Sequence, residues 1–225
     1  MAKFHISDEK EVFKQAIFKI DQATLTHLMP NGQMSPEITR LNFVRGDSVA
    51  ALVHDVDSDK LIFTYQFRYP TTKHKDNRGE DLGWIYEVPA GSLPTGKDPE
   101  AHMREEMMEE IGYTVQKLEH IRTFYVSPGG TNERILLYYA QVTPHDQKGA
   151  GGGVASEGEY VERKSFGVDE AFRMFLQDPT VGDAKTIIAL QWLQAKREAQ
   201  RETQGQLQQN AQPPKRGFWA RLFGS

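Results

Sequence analysis

The chain has 225 residues, 38% hydrophobic and 26% charged, with a formal net charge of −4. That length serves one good-sized domain plus appendages, and the charge balance gives no reason to expect nucleic acid as a partner. The absence of cysteine excludes disulfides and thiolate zinc sites and suits a reducing cytoplasm. The first residues, Met1-Ala-Lys-Phe-His-Ile6, lack the apolar run of a signal peptide. No stretch approaches the roughly 20 apolar residues of a membrane span.

Residues 1–46 form the first piece. Glu11–Thr26 mixes strand and helix features, and periodicity does not separate them. Met29-Pro30-Asn31-Gly32 signals a turn. Ile38–Val44 alternates loosely and ends at Arg45-Gly46-Asp47. A small N-terminal antiparallel sheet is predicted. Ser48–Asp55 and Lys60–Tyr69 are apolar-rich and flank Val56-Asp57-Ser58-Asp59, which predicts a hairpin. Pro70–Gly83 is polar and reads as a mobile loop. Trp84–Val88 reads as a strand, with Trp84 a core or rim aromatic rather than a base-stacking platform.

Gly91–Tyr113 organises the chain. A glycine loop leads into a helix with Asp98 as N-cap, Pro99 at its first position and Glu100 in its first turn. Gly112 stops the helix in a left-handed conformation. Met103, Met107 and Ile111 recur at i, i+4, i+8 and turn toward a core. Glu106, Glu109 and Glu110 recur at i, i+3, i+4 and share one face within roughly 100°. Three carboxylates so placed repel each other unless a cation sits among them. A magnesium ion, which prefers oxygen ligands, would serve; a solvated acidic helix is the other reading.

Thr114–Val126 and Arg134–Thr143 read as strands around a turn, Ser127-Pro-Gly-Gly-Thr-Asn-Glu133. Pro144–Gly158 contains five permissive residues, Gly149-Ala-Gly-Gly-Gly153, and reads as a loop that can swing, ending near Glu157 and Glu159. Tyr160–Phe166 reads as a strand. Val168–Gln177 and Asp183–Lys196 read as helices, the second capped by Asp183 and packing Ile187, Leu190 and Leu193 on the sheet. Arg197–Gln209 is polar and glutamine-rich and reads as a linker. In Lys215–Ser225 a helix would gather Phe218, Trp219, Leu222 and Phe223 opposite Arg221.

The Gly91–Tyr113 segment resembles the Nudix box: Gly, five residues, Glu, seven residues, Arg-Glu-apolar-any-Glu-Glu-any-Gly-apolar. Gly91 is the first glycine, Glu106, Glu109 and Glu110 fall on the three metal-site glutamates, and Gly112-Tyr113 closes the motif. Two positions depart. The early glutamate is Lys97 and the arginine is Glu105, with an arginine one place earlier at Arg104. The changes are opposite in sign, which suggests an ion pair with its ends exchanged.

The resemblance implies an α/β Nudix sandwich, with a mixed sheet between helices, preceded by the small N-terminal antiparallel sheet. Domain bounds are expected at 1–46 for the dimerisation sheet, 47–196 for the hydrolase domain and 197–225 for linker and tail. The likeness runs from about 40 to 196 and includes Ser127–Glu133, similar to a segment of ADP-ribose and GDP-mannose pyrophosphatases, and Ile188-Ala-Leu-Gln-Trp-Leu-Gln194, similar to the last helix of ADP-ribose pyrophosphatases. It implies Mg2+, or Mn2+, held by Glu106, Glu109, Glu110, Glu159 and the Ala90 carbonyl. Glu157 aligns with the general base. Arg68 matches an arginine aimed at substrate phosphate, a charged strand-end residue being the other reading. Ser127, Gly129, Gly130 and Glu133 fall on the substrate side. In a homodimer Arg40 would reach the partner's site; otherwise it is a surface arginine.

The implied activity is hydrolysis of the pyrophosphate bond of a nucleoside diphosphate sugar, ADP-ribose first, giving AMP and ribose 5-phosphate. GDP-mannose is the alternative substrate, and a non-catalytic nucleotide-sugar-binding module the alternative class. The expected location is cytoplasmic. The 215–225 segment is similar to the membrane-targeting helix of bacterial Min-system ATPases and implies weak peripheral contact with the inner face of the membrane.

Overall fold

The computed structural model describes residues 3–76, 79–154, 160–178 and 182–210, with side chains to 207. Glu157, Glu159 and the 215–225 segment lie outside them.

Strands β1 (Phe4–Gln15), β2 (Phe18–His27) and β3 (Ile38–Val44) form an antiparallel sheet in that order. The segment with mixed signals is thus a hairpin turning at Ala16, which adopts a φ of 52°. β1 is exposed along its whole length. With neither face buried, no apolar alternation was imposed on it.

The second sheet is mixed and has seven strands. Its path runs β10-β5-β4-β9-β8, with β6 beside β5 and β7 beside β4. β4 (Asp47–Asp55) and β5 (Lys60–Phe67) make the expected hairpin. β4 also pairs in parallel with β9 (Arg134–Val142) along its full length. β6 (Trp84–Glu87), β7 (Ala90–Ser92), β8 (Leu118–Tyr125) and β10 (Val161–Gly167) complete it.

Both faces of β4 are covered, as the near-continuous apolar run Val49–Val53 requires. Val49, Ala51 and Val53 face one cluster with Met103, Met107, Ile111 and Tyr138. Ala50 and Leu52 face the other, with Leu61, Phe63, Leu137, Leu190 and Leu193. The period-two pleat therefore divides the core into two layers. Helix α1 (Pro99–Glu106) covers the first; α2 (Val168–Phe172) and α3 (Ala184–Asn210) cover the second. Trp84 sits at the rim, about half exposed, against Tyr65 and Phe67.

Three expectations change. Pro70–Gly83 carries a 3-10 turn at Tyr69–Lys73 and a bridge between Lys75 and Asp81. Ile187 stays outside the core cluster, where Ala189, Leu190 and Leu193 are buried. The presumed linker 197–209 is helical, because α3 runs on to Asn210. Its Arg, Glu, Gln and Ala residues are good helix formers that continue an anchored helix without an apolar face. No helix among the described residues is long and apolar enough to cross a membrane.

Candidate active site

Asp98 caps α1 by accepting from Ala101 N at 2.8 Å, with Pro99 in the first turn. The helix then changes bonding. Met107–Ile111 form a π turn that Gly112 ends at φ 75°. The even spacing of an α-helix therefore does not carry through Glu109 and Glu110.

Two carboxylates converge on β7. Glu106 lies over Gly91 so closely that a Cβ there would fall 1.9 Å from its Oε1. Its Oε1 is also 3.0 Å from His102 Nε2. Glu110 is buried and accepts from Ala90 N at 3.0 Å. Glu109 is exposed. Among the described residues, no group of three His, Asp or Glu side chains is arranged to hold a metal ion. The pair Glu106 and Glu110 at the Ala90–Gly91 edge could hold a divalent cation, since a hard cation can be bound through one or two carboxylates with substrate phosphate and water completing its shell.

Lys97 Nζ contacts Glu105 Oε2, and His102 Nδ1 stands 3.4 Å from the same oxygen. The exchanged pair is thus formed. Lys97 first, then His102, holds the Glu105 carboxyl below its ordinary range. Arg104 turns elsewhere, to Glu100 at 3.0 Å and to the Val115 and Gln116 carbonyls.

The glycine segment expected to swing is pinned to the end of the π turn. Gly149 N donates to Gly112 O, Gly152 N to Glu110 O and Gly153 N to Glu109 O, at 3.0, 2.9 and 3.1 Å. A Cβ on Gly151 would lie 2.4 Å from Glu110 O. Glycine here permits close approach, and its N–H groups satisfy carbonyls the helix end leaves open. Arg163 adds a bond to Ile111 O at 2.7 Å. Sequence reasoning saw flexible residues without the surface they fit.

A cleft of about 410 Å³ opens beside Ala90, Gly91 and Glu110. Arg45, Arg68, Glu87, Glu133, Asp183 and Lys185 also line it. Arg68 Nε donates to Glu87 Oε2 at 2.6 Å. Glu133 Oε1 accepts from Ser48 Oγ at 3.1 Å, and its Oε2 stands 3.8 Å from Arg45 Nε. Lys185 is buried and meets Glu87 Oε1 at 2.5 Å and Asp183 Oδ1 at 3.0 Å. Burial pushes its pKa down, but the charges of Glu87 and Asp183 outweigh that and leave it raised.

Arg40 is exposed on β3, donates to Thr39 O and does not line this cleft. Gly129 and Gly130 line a separate recess with Leu41, Asn42 and Tyr125. Ser127 O accepts from Gly130 N and Thr131 N, and Gly130 O accepts from Phe43 N at 2.8 Å. That loop joins the N-terminal sheet to β8 and β9. Asn132 extends the joint by accepting from Arg45 N at 2.9 Å and Gly46 N at 3.2 Å. Arg45, Glu87 and Lys185 were missed in the sequence. None carries a local signal, and Glu87 meets a lysine 98 positions away.

A cleft in which Arg45, Arg68 and Lys185 stand among carboxylates, beside the Glu106–Glu110 edge, suits a phosphorylated ligand, and the mixed sheet between helices supplies the frame of a phosphate-handling hydrolase. The chain belongs to the Nudix hydrolase family: the NUDIX domain model matches residues 44–191. It is 30% identical over 193 residues to the ADP-ribose pyrophosphatase of Escherichia coli (strain K12), covering 84% of this chain and 88% of that protein. It is 32% identical over 183 residues to the GDP-mannose pyrophosphatase of Pectobacterium atrosepticum, covering 81% and 90%. A crystal structure of an ADP compounds hydrolase shares the fold, with a TM-score of 0.65 at 17% identity over 89% of this chain and 97% of that one.

Proposed function

We propose that this chain hydrolyses the pyrophosphate bond of a nucleoside diphosphate sugar, with ADP-ribose yielding AMP and ribose 5-phosphate. The observation that carries the proposal is the meeting of Glu106 and Glu110 at Ala90–Gly91, on the rim of a cleft lined by Arg45, Arg68 and Lys185. Glu106 and Glu110, with Glu109, Glu159 and the Ala90 carbonyl, would hold Mg2+ or Mn2+. Held there, such an ion would supply neutralisation of the diphosphate charge and polarisation of water. Arg68 and Arg45 orient the two phosphates, and Glu133 holds the sugar side with the Ser127–Gly130 loop. Water oxygen bonds to phosphorus as the bridging P–O bond breaks. Glu157 takes the water proton, and the bond electrons leave with the departing phosphate.

A panel of nucleotide sugars with magnesium tests this. Wild-type turnover of ADP-ribose should fall on the order of 10²–10⁴-fold in Glu157→Gln and strongly in Glu110→Gln. The 32% likeness to a GDP-mannose pyrophosphatase supports a second reading, in which GDP-mannose is the preferred substrate. Binding without turnover across the panel would refute hydrolysis and favour a non-catalytic module.

We also propose a homodimer through the N-terminal sheet, whose Phe4, Ile6, Val12, Phe13, Phe18 and Leu41 are exposed. Such an apolar surface suits a second copy, and pairing would bring Arg40 toward the other site. Sedimentation should show a dimer that Phe4→Lys/Phe13→Lys dissociates; a wild-type monomer at micromolar concentration would end the idea.

A further inference from the structure

Glu87 stands between two cations. Arg68 takes its Oε2 through Nε at 2.6 Å, and Lys185 takes its Oε1 at 2.5 Å. All of this occurs around a carboxylate that is almost fully buried. An arginine beside a lone carboxylate tends to close into a bidentate fork, with two parallel N–H donors on two oxygens. Here that fork is not formed: Lys185 holds the second oxygen, and a guanidinium Nη sharing it would crowd a second cation against the ammonium. Among the described residues, neither Nη of Arg68 has a protein acceptor.

Lys185 is itself fixed by two carboxylates, Glu87 and Asp183. It meets Asp183 at 3.0 Å. Asp183 caps α3 by accepting from Thr186 N at 3.0 Å and Oγ1 at 2.7 Å. Thr186 Oγ1 accepts from Val88 N at 2.9 Å, one residue beyond Glu87. The start of α3 is thus bolted to the strand that carries Glu87. This arrangement costs two charges withdrawn from water, which a purely apolar contact would avoid.

We infer that Lys185 is a positioning residue for substrate binding: by occupying one oxygen of Glu87, it limits Arg68 to a single Nε contact and keeps both Nη groups for the phosphate of the ligand. Remove the lysine, and Glu87 recruits an Nη of Arg68 into a bidentate pair, turning the guanidinium from the cleft toward the sheet. The inference rests on the diphosphate reading of the cleft.

The test uses full-length protein and two readouts: steady-state hydrolysis of ADP-ribose, and calorimetric binding of its methylene-bridged analogue, which cannot be cleaved between the phosphates. Wild type that binds no analogue would defeat the diphosphate reading and this inference with it. With wild-type binding present, Lys185→Met should weaken analogue affinity and raise KM about tenfold, with kcat changed less. Lys185→Arg should restore part of the loss. Because Lys185→Met leaves Glu87 and Asp183 buried beside a missing charge, Lys185→Met/Glu87→Gln serves where the single variant does not fold. It should show the same affinity loss, since Arg68 then has no brace. In an Arg68→Ala background, either change should add nothing further. Unchanged affinity in a folded Lys185 variant, or full additivity with Arg68→Ala, would overturn the assignment while leaving the hydrolase reading intact.

Discussion

Helix α3 is tied to the sheet by an ion pair at each end of its packed length, and the two pairs sit in different surroundings. At the start, Lys185 meets Glu87 and Asp183 with side-chain exposures of 8%, 6% and 15%. About 18 Å further along, Arg197 grips both oxygens of Asp59 at 3.0 Å, but Asp59 is 55% exposed. His54 joins that far network at 2.9 Å and hands its other nitrogen to Tyr139 Oη at 2.7 Å. The chemistry is alike and the solvent is not. Buried charges depend on their partners, because leaving one unpaired exposes the full desolvation cost. Exposed ones exchange a partner for water at little loss. The cleft end is therefore where charge geometry has consequences for a ligand, and the far end acts as a staple on the β4–β5 turn.

Substitutions at the two ends can break that contrast. The largest effect is expected at the cleft. Lys185→Met should lower stability by about 3–5 kcal/mol, read as a shifted midpoint in urea unfolding. A loss no greater than that of Arg197→Ala would erase the difference between the ends. Arg197→Ala is expected to cost about 1 kcal/mol or less, with hydrolysis unchanged.

The smallest effect is a dependence on acid. Arg197 first, and more weakly His54, hold the Asp59 carboxyl below its ordinary value of 3.8, against the upward push of burial. A depressed carboxylate contributes stability above its unfolded pKa and loses it as pH falls through the folded one. The gap between wild type and Arg197→Ala should therefore persist at neutral pH, begin to close near pH 3.8 and vanish once the pH has fallen through the depressed folded value. A gap that stayed constant as the pH fell well below 3.8 would mean that Arg197 acts through packing rather than charge.

The sequence made the box helix legible because its determinants are local. Asp98 caps α1, Gly112 takes the left-handed turn, and Met103, Met107 and Ile111 are fully buried at their predicted spacing. The exchange of Lys97 and Glu105 was also visible, since the two lie on one short segment. β1 escaped because an exposed strand carries no alternation. The π turn escaped because it depends on what caps the helix. Its carbonyls meet Gly152, Gly153 and Arg163, which stand some 40 to 50 positions later.

By itself, then, the sequence determined what neighbours along the chain impose: the glutamate helix, the apolar β4–β5 hairpin and membership in the Nudix family. Tertiary structure alone decided which charges meet. Glu106 settles on Gly91 because a missing Cβ leaves room. Glu87, Arg68 and Lys185 form one cluster because β5, β6 and the start of α3 are packed side by side. Such contacts depend on distances of a few ångströms between segments far apart in sequence, and Coulomb and hydrogen-bond energies are steep on that scale. No local pattern encodes them.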